Sequence, residues 1–451
     1  MTAVFYRSPG FDYPAARQAR GMRITDAAGK EYLDMSGGAA VSCLGHGHPV
    51  VVDAIINQLE AFEFAHTAFF TNEPQERLAS LLVHRFGDPA ARAYFTSGGS
   101  EANETALKMA WQYWAARGQS QRKIIISRDH SYHGNTFGAL SVSGNNLRRA
   151  ASAAPLLDWP RISAFYPYRG QASDESLESY TLRVADELES AIELAGAEQV
   201  AAFICEPVVG SSLGVVPAGA GYLERIRAIC DRHDILLIFD EIMCGSGRTG
   251  SYFAHEQDGV KPDLVTLAKG ISGGYQPLAA TLINGKVAET LLASGFIHGH
   301  TYVGHPVACA AGVAVQEVLD REELLPRALD MGGQFAQLLQ DRFGAHPHVG
   351  EIRGRGLFRG MELVQDRDTR AGFPGGSDLP ERLRLSAMEH GLICYPFGIS
   401  LSSGFVPHIM LAPPLILEER HMAECADKLD AVLSDVLKDS SPITKSRVSC
   451  T

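Results

Sequence analysis

The sequence lacks the paired cysteines that mark disulfide frameworks and many metal sites. Its 451 residues include eight cysteines, none of them in CxxC spacing, and several lie inside apolar runs. They are Cys43, Cys205, Cys230, Cys244, Cys309, Cys394, Cys425 and Cys450. This usage predicts a reduced, intracellular protein rather than a disulfide-bonded one.

Long apolar runs and an excess of positive charge are also missing. No uninterrupted apolar run approaches the roughly 20 residues that span a bilayer, and the start, MTAVFYRSPGFDYP, has no basic end followed by an apolar core. Lys and Arg total 40 against 52 Asp and Glu, a formal net charge of −12, whereas nucleic-acid binding requires clustered cations. We therefore expect a cytoplasmic protein that acts on small molecules, with neither a nucleic acid nor a membrane as partner.

Strand-like apolar runs alternate with helical patterns through the middle of the chain. Four runs, which begin at Lys123, Val200, Ile235 and Asp263, each end in polar residues, and helical stretches such as 221–233 lie between them. This alternation predicts an α/β fold with a central, mostly parallel sheet and helices on both faces. In such sheets a ligand binds at the carboxyl ends of the strands.

The two ends of the sequence follow a different pattern. Residues 22–35 read as a hairpin, and residues 349–363 alternate around glycines before a helix near 379–391 and a strand near 392–396. We predict that both termini build a smaller α+β domain beside the central sheet. The predicted limits are 54–311 for the large domain, 1–53 with 312–440 for the small domain, and 441–451 for a flexible tail.

A glycine-rich turn stands between a predicted strand and a predicted helix. It reads Ser97-Gly98-Gly99-Ser100. Backbone N–H groups at a helix start beside glycines bind anions, so the turn is a candidate phosphate site, with the Ser100 hydroxyl as a further donor. Because such turns are common, a helix N-cap with nothing bound is the alternative.

Two ionisable residues end neighbouring predicted strands. Asp240 follows ILLIF, and a buried carboxylate at this position needs a cationic partner. The alternatives to a ligand-binding role are a helix cap or an ion pair with Arg248. Lys269 follows DLVTLA, where a desolvated amine can form a Schiff base, although most lone lysines stay solvated. A phosphate cradle, a carboxylate for a ring nitrogen and an imine-forming lysine are together the groups that pyridoxal 5′-phosphate (PLP) requires.

Several further motifs accompany these three, in a fixed order along most of the chain. They are GKEYLDM and LGHGHP near the start, then SGGSEANETALK, SYHG, Glu206-Pro, DEI…GSGRTG, LAKG, HTYVGHP and LAPPL. The ordered set resembles that of the class-III (ω-type) PLP-dependent aminotransferases. The resemblance implies the fold-type-I PLP transferase architecture, PLP as cofactor, and ping-pong transfer of an amino group from an amine or ω-amino donor to a 2-keto acid, either pyruvate or 2-oxoglutarate.

The resemblance also implies roles for matching residues. Lys269 would bind the cofactor covalently and move the proton during transfer, and Asp240 would bond the protonated ring nitrogen. The other expected cofactor contacts are Ser97, Gly98, Gly99 and Ser100 around the phosphate, Tyr132 and Ile242 on the two ring faces, His133 beside Tyr132, Glu206 on the substrate side, and Thr301 across the interface of a homodimer.

One family feature is missing. Many members carry an arginine shortly before LAPP that binds a substrate carboxylate, but residues 395–414 contain no arginine or lysine and only His408. We therefore predict a relatively hydrophobic amine donor, or a carboxylate held elsewhere, for which Arg7, Arg17 and Arg23 are candidates.

Other reactions and sites remain as alternatives. Met243 stands where 4-aminobutyrate- and ornithine-type relatives often have glutamine, which argues against those donors. The same cofactor site supports aminomutase, decarboxylase and racemase chemistry, and a catalytically silent binding protein is a further alternative. His46 and His48 do not predict a metal site because the rest of a ligand set is missing.

Overall fold

Seven strands form the central sheet of the computed structural model, which describes residues 3–8 and 11–438. The four strands predicted from apolar runs are adjacent in it, and only Ala279–Ile283 runs antiparallel to its neighbours. This confirms the predicted mostly parallel sheet. In order across the sheet the strands are Arg92–Thr96, Ala279–Ile283, Leu264–Leu267, Leu236–Asp240, Val200–Cys205, Ile124–Arg128 and Arg161–Ile162.

Helices cover both faces of this sheet. Successive side chains of the strand Leu236–Asp240 point to opposite faces, so Phe239 packs in one apolar cluster and Ile238 in another. The helix Tyr222–Arg232 contributes to the first cluster, and the helix Gly99–Ala116 contributes to the second. The strands are therefore buried on both sides, which explains their uninterrupted apolar sequences.

The helices follow local sequence signals at several starts. Asn72, Ser176 and Asn284 each accept a backbone N–H from the first turn of the helix that follows them. Within the described residues, no helix is long and apolar enough to cross a membrane. The α-helices are Gly37–Ala40, Pro49–Ala61, Glu73–Phe86, Gly99–Ala116, Phe137–Ser141, Asn146–Ala150, Pro167–Gly170, Leu177–Ala195, Tyr222–Arg232, Gly285–Ser294, Pro306–Arg321, Leu324–Phe343, Leu379–Glu389 and Glu419–Leu437.

Two smaller sheets lie at the ends of the sequence. One contains the predicted hairpin, with its turn at Gly29 (φ +85°), and pairs an N-terminal strand with a C-terminal one. Its strands are, in order, Ala16–Arg20, Arg23–Asp26, Glu31–Asp34 and Leu392–Ile393. The other contains Val349–Arg355, Phe358–Leu363, Gly404–Leu411 and Tyr395–Leu401.

The predicted domain limits fall inside helices. Position 54 lies within Pro49–Ala61 and position 311 within Pro306–Arg321. The division into a large and a small domain therefore stays a prediction. The predicted tail, 441–451, lies outside the described residues.

Candidate active site

A cavity of about 220 Å³ opens at the carboxyl ends of the central strands. Asp240 is the last residue of its strand, and Lys269 follows the end of the neighbouring strand by two residues. Both side chains reach the cavity, as expected for ligand sites of open parallel sheets. The lining residues are Gly99, Ser100, Tyr132, His133, Gly134, Glu206, Gly210, Ser211, Ser212, Asp240, Ile242, Met243, Ala268 and Lys269.

Asp240 is buried and held by three hydrogen bonds. Its Oδ2 accepts from Asn103 Nδ2 at 2.7 Å and lies 2.8 Å from His133 Nδ1, and its Oδ1 accepts from the Ile242 N–H at 3.0 Å. Arg248, the alternative partner considered from sequence, instead donates to the carbonyl oxygens of Leu357 and Pro413. The ion pair between Asp240 and Arg248 was therefore a wrong alternative.

Lys269 occupies an unusual backbone and electrostatic environment. Its φ of +50° is left-handed, a conformation that costs a non-glycine residue on the order of 1 kcal/mol and that clusters at functional sites. Desolvation by burial lowers the pKa of its amine to about 8, although the charges of Asp240 and Glu206 act in the opposite direction. The amine therefore loses its proton at a lower pH than an ordinary lysine does, as a nucleophilic lysine requires.

The glycine-rich turn forms one wall of the cavity. A Cβ on Gly99 would lie 2.8 Å from Cδ1 of Ile242, and a Cβ on Gly134 would lie 2.7 Å from Oγ of Ser100. A Cβ would therefore displace the side chain of Ile242 at the first position and Ser100 at the second. The backbone N–H of Ser97 already bonds Glu101 at 3.0 Å, and within the described residues Ser97 and Gly98 do not line the cavity.

Glu206 faces the cavity with one oxygen hydrogen-bonded and the other without a hydrogen bond among the described residues. Its Oε1 accepts from the Tyr132 N–H at 3.1 Å, and its Oε2 lies 3.6 Å from an Arg128 nitrogen and 4.0 Å from Nε2 of His133, with no hydrogen bond among the described residues. The hydroxyl of Ser212 is likewise buried without a partner there. Such groups normally find partners, so they indicate space for a polar ligand.

Sequence reasoning overlooked some residues of this site. Asn103 is fully buried and bonds both Asp240 and the carbonyl of His133. A polar residue on the inner face of the helix Gly99–Ala116 was the signal that could have found it. Ser211 and Ser212 sit in a loop that carries no comparable pattern.

Several other residues lie away from the cavity. Thr301 is exposed, in an irregular segment held by the contact of His300 with Glu101 at 3.1 Å. His46 pairs with Asp34 at 3.0 Å. Of the suggested carboxylate-binding arginines, Arg23 pairs with Glu424, while the exposed Arg7 and Arg17 are not among the lining residues.

The donor set of the cavity fits PLP. The buried carboxylate of Asp240 suits a protonated ring nitrogen, the amine of Lys269 suits an aldehyde, and the turn at Gly99 and Ser100 suits a phosphate. Tyr132 and Ile242 flank the same space. Fold and site together define a PLP-dependent transferase of fold type I.

Comparison with known proteins gives the family. The model of the class-III aminotransferases matches residues 10–433. An uncharacterized aminotransferase of Schizosaccharomyces pombe is 39% identical over 440 residues, 96% of this chain and 95% of that protein. Gamma aminobutyrate transaminase 3 of Solanum lycopersicum is 33% identical over 426 residues, 93% of this chain and 80% of that protein. The chain belongs to the class-III aminotransferase family.

Solved structures agree with this assignment. A thermostable (S)-enantioselective ω-transaminase from Thermomicrobium roseum superposes with a TM-score of 0.89 at 36% identity, over 96% of each chain. The ω-transaminase from Pseudomonas jessenii in complex with PMP gives a TM-score of 0.89 at 32% identity, over 97% of each chain. The predictions of fold type I, of PLP as cofactor and of amino-group transfer to a keto acid are confirmed.

Proposed function

We propose that the amino donor is a relatively hydrophobic amine and that the acceptor is a 2-keto acid. The observation that carries this proposal is the apolar lining of the cavity at Met243. Tyr395 and Phe397 lie outside that lining and pack, with Met243, against one buried apolar cluster that includes Phe358 and Met410. An uncharged substituent is stabilised beside such apolar side chains. Desolvation of a carboxylate there, without a cation, costs several kcal/mol of binding free energy.

The segment before LAPP supports the same proposal. Its one ionisable side chain besides Tyr395 is His408, which is fully buried. His408 Nε2 lies 3.5 Å from Oε2 of Glu362 and 3.3 Å from the Tyr166 hydroxyl, and its ring stacks on Phe397. Burial lowers the pKa of His408, against the effect of Glu362. His408 is therefore engaged by its own neighbours.

We assign the proton transfers to Lys269. Bound PLP supplies the electron sink for the bond changes at the substrate carbon. An amine whose pKa is about 8 accepts a proton and returns it at a pH near that value with little bias in either direction. Asp240, held by Asn103 and His133, keeps its charge directed at the ring nitrogen.

The remaining lining residues would hold and orient the cofactor. Tyr132 and Ile242 would lie over the two faces of its ring, Gly99 and Ser100 would hold its phosphate, and Glu206 would stand on the substrate side. The lining of a single cavity by all five residues supports these assignments.

The active unit in this proposal is a cytoplasmic homodimer in which Thr301 reaches the phosphate of the partner. Thr301 is exposed, and large apolar side chains are exposed beside it and in the segment that packs near it: Ile297 at 86%, Tyr302 at 54% and Phe69 at 80%. Clustered exposed apolar residues favour a protein interface. Unpaired, buried cysteines throughout the described chain favour a reducing compartment.

A half-reaction assay tests the donor proposal. Purified holoenzyme is mixed with arylalkyl-amines, alkyl-amines, ornithine or 4-aminobutyrate, without acceptor, while cofactor absorbance is followed. We expect conversion to the pyridoxamine form with the arylalkyl- and alkyl-amines. A strong preference for ornithine or 4-aminobutyrate would refute the donor class, release of carbon dioxide would indicate a decarboxylase, and an unconverted cofactor would indicate a racemase or mutase.

A further inference from the structure

The acceptor poses an electrostatic problem for the cavity. Every 2-keto acid carries a carboxylate, yet the charged side chains that line the cavity are Lys269, Asp240 and Glu206. Lys269 is committed to the cofactor in the proposed function, and the two carboxylates repel an anion. Since a desolvated carboxylate needs a cation, a positive group outside this lining must serve it.

Among the described residues, Arg148 is the cation that contacts a lining side chain without being committed elsewhere. Its guanidinium carbon lies 4.7 Å from the ring centroid of Tyr132, and Tyr132 lines the cavity. The Arg148 side chain is exposed. Across residues 3–8 and 11–438 it has no hydrogen bond or ion pair, and only its backbone N–H is used, in capping by Asn145.

Neighbouring arginines are already engaged. Arg149 donates to the carbonyl oxygens of Leu140 and Ser141, and Arg161 pairs with Asp129 at 3.1 Å. Arg128 is buried behind Glu206 and donates to its carbonyl oxygen. Arg148 alone among these four keeps all its guanidinium N–H groups free within the described chain.

A cation–π contact suits a guanidinium for carboxylate binding. The contact with the ring of Tyr132 uses none of the guanidinium N–H groups as hydrogen-bond donors to a protein oxygen, so they stay available to bond a carboxylate bidentately. We propose that Arg148, held on Tyr132, binds the carboxylate of the 2-keto acid acceptor and replaces the arginine missing before LAPP. This inference rests on the proposed function and adds the acceptor-binding residue to it.

The two substrates of the cavity differ in whether they need Arg148. A hydrophobic amine has no carboxylate and needs no contact with Arg148, whereas pyruvate and 2-oxoglutarate both need it. Loss of Arg148 therefore affects only the second half of the ping-pong cycle, which a general defect in folding or cofactor binding does not do.

The test measures the two half-reactions separately. Arg148→Gln, which removes the charge, Arg148→Lys, which keeps it without the planar fork, and the distant control Arg420→Gln are compared with wild type. Arg420 is exposed and pairs with Glu418. Apoenzyme is loaded with pyridoxamine phosphate and mixed with pyruvate or 2-oxoglutarate, so the acceptor half is observed without any donor. The donor half is observed with holoenzyme and an arylalkyl-amine.

For Arg148→Gln we expect the keto-acid concentration at half-maximal rate to rise roughly 30-fold, as for loss of a charge-assisted contact. We expect a smaller rise for Arg148→Lys, and a donor half-reaction within about twofold of wild type. An unchanged acceptor half in Arg148→Gln, or equal losses in both halves, overturns the inference. A wild-type enzyme that accepts no hydrophobic amine but shows the Arg148 effect overturns the donor proposal alone.

Discussion

Nδ1 of His133 lies 2.8 Å from Oδ2 of Asp240, and both side chains are buried. With Asn103 as its second Oδ2 partner, Asp240 is oriented by groups that carry no fixed positive charge. Because no arginine pairs with this carboxylate within the described residues, its negative charge is left for the ring nitrogen of the cofactor. The same imidazole places Nε2 4.0 Å from Glu206 Oε2, so it also links the two carboxylates of the cavity.

Asp240→Asn tests this use of the charge. A neutral amide cannot stabilise a protonated ring nitrogen, so we expect the donor half-reaction to slow by about 100-fold or more. Since Asp240 raises the pKa of Lys269, that pKa should also fall below its value of about 8. Stopped-flow absorbance at several pH values measures both effects. Asp427→Asn, at an exposed ion pair with Arg342, is the control, and unchanged rates in Asp240→Asn would refute the role.

The amine of Lys269 should control cofactor attachment. Below pH 8 it is mostly protonated and not nucleophilic, so attachment of PLP to the apoenzyme should accelerate as the pH rises, with a midpoint near the pKa of about 8. A lysine with an ordinary pKa would give a midpoint at a pH of about 10.4. We expect Lys269→Ala to bind the cofactor loosely, with turnover nearly abolished.

Borohydride reduction followed by peptide mapping checks this assignment. The pyridoxyl group should be found on Lys269 in wild type and in the exposed-site control Lys286→Ala. A label on any other lysine would contradict the proposed mechanism.

Local sequence signals were enough to predict three groups that the structure brings to one cavity, because each group belongs to a continuous motif. Lys269, Asp240 and the turn at Gly99 are fixed by strand ends and a helix start, which a sequence pattern shows. Asn103 lies on the buried face of the helix Gly99–Ala116. It was overlooked because its partner, Asp240, is 137 residues away in the sequence. The contact of Arg148 with Tyr132 likewise depends on how the helix Asn146–Ala150 packs against the loop that carries Tyr132, which no sequence periodicity reports.

Gly99→Ala tests the glycine cradle. The added Cβ would stand 2.8 Å from Cδ1 of Ile242, so Ile242 must move from its place in the cavity lining. We expect the dissociation constant of PLP to rise about tenfold, equivalent to roughly 1.4 kcal/mol. Gly333→Ala is the matched control, because it lies in a helix with nothing within 4 Å of the added Cβ. Fluorescence titration of the apoenzymes measures both constants. Equal affinity in the two variants would show that Ile242 does not define the cofactor space.

A buried charge cluster stands behind the loop that carries Ser211 and Ser212. Glu362 is fully buried, accepts from Arg169 and Arg353 at 2.7 Å each, and is bonded by the Tyr166 hydroxyl. Arg353 also donates to the carbonyl oxygens of Leu213 and Gly214. Burial alone would raise the pKa of Glu362, but His408 and the two arginines outweigh it and hold the pKa well below its usual range.

Glu362→Gln should therefore destabilise the fold strongly, because it leaves the guanidinium groups of Arg169 and Arg353, whose side chains are 10% and 8% exposed, without their shared anion. We expect a loss of about 3–5 kcal/mol in the free energy of unfolding, measured with urea. Since the folded-state pKa of Glu362 is depressed, its contribution is present above the unfolded value near 4.5 and is lost as the pH falls below it. The variant should thus depend less on pH in that range than wild type. Glu351→Gln, at a half-buried partner of the same Arg353, should cost at most about 1 kcal/mol. Equal losses of stability in the two variants would show that the deeper burial of the Glu362 charge does not increase its contribution to stability.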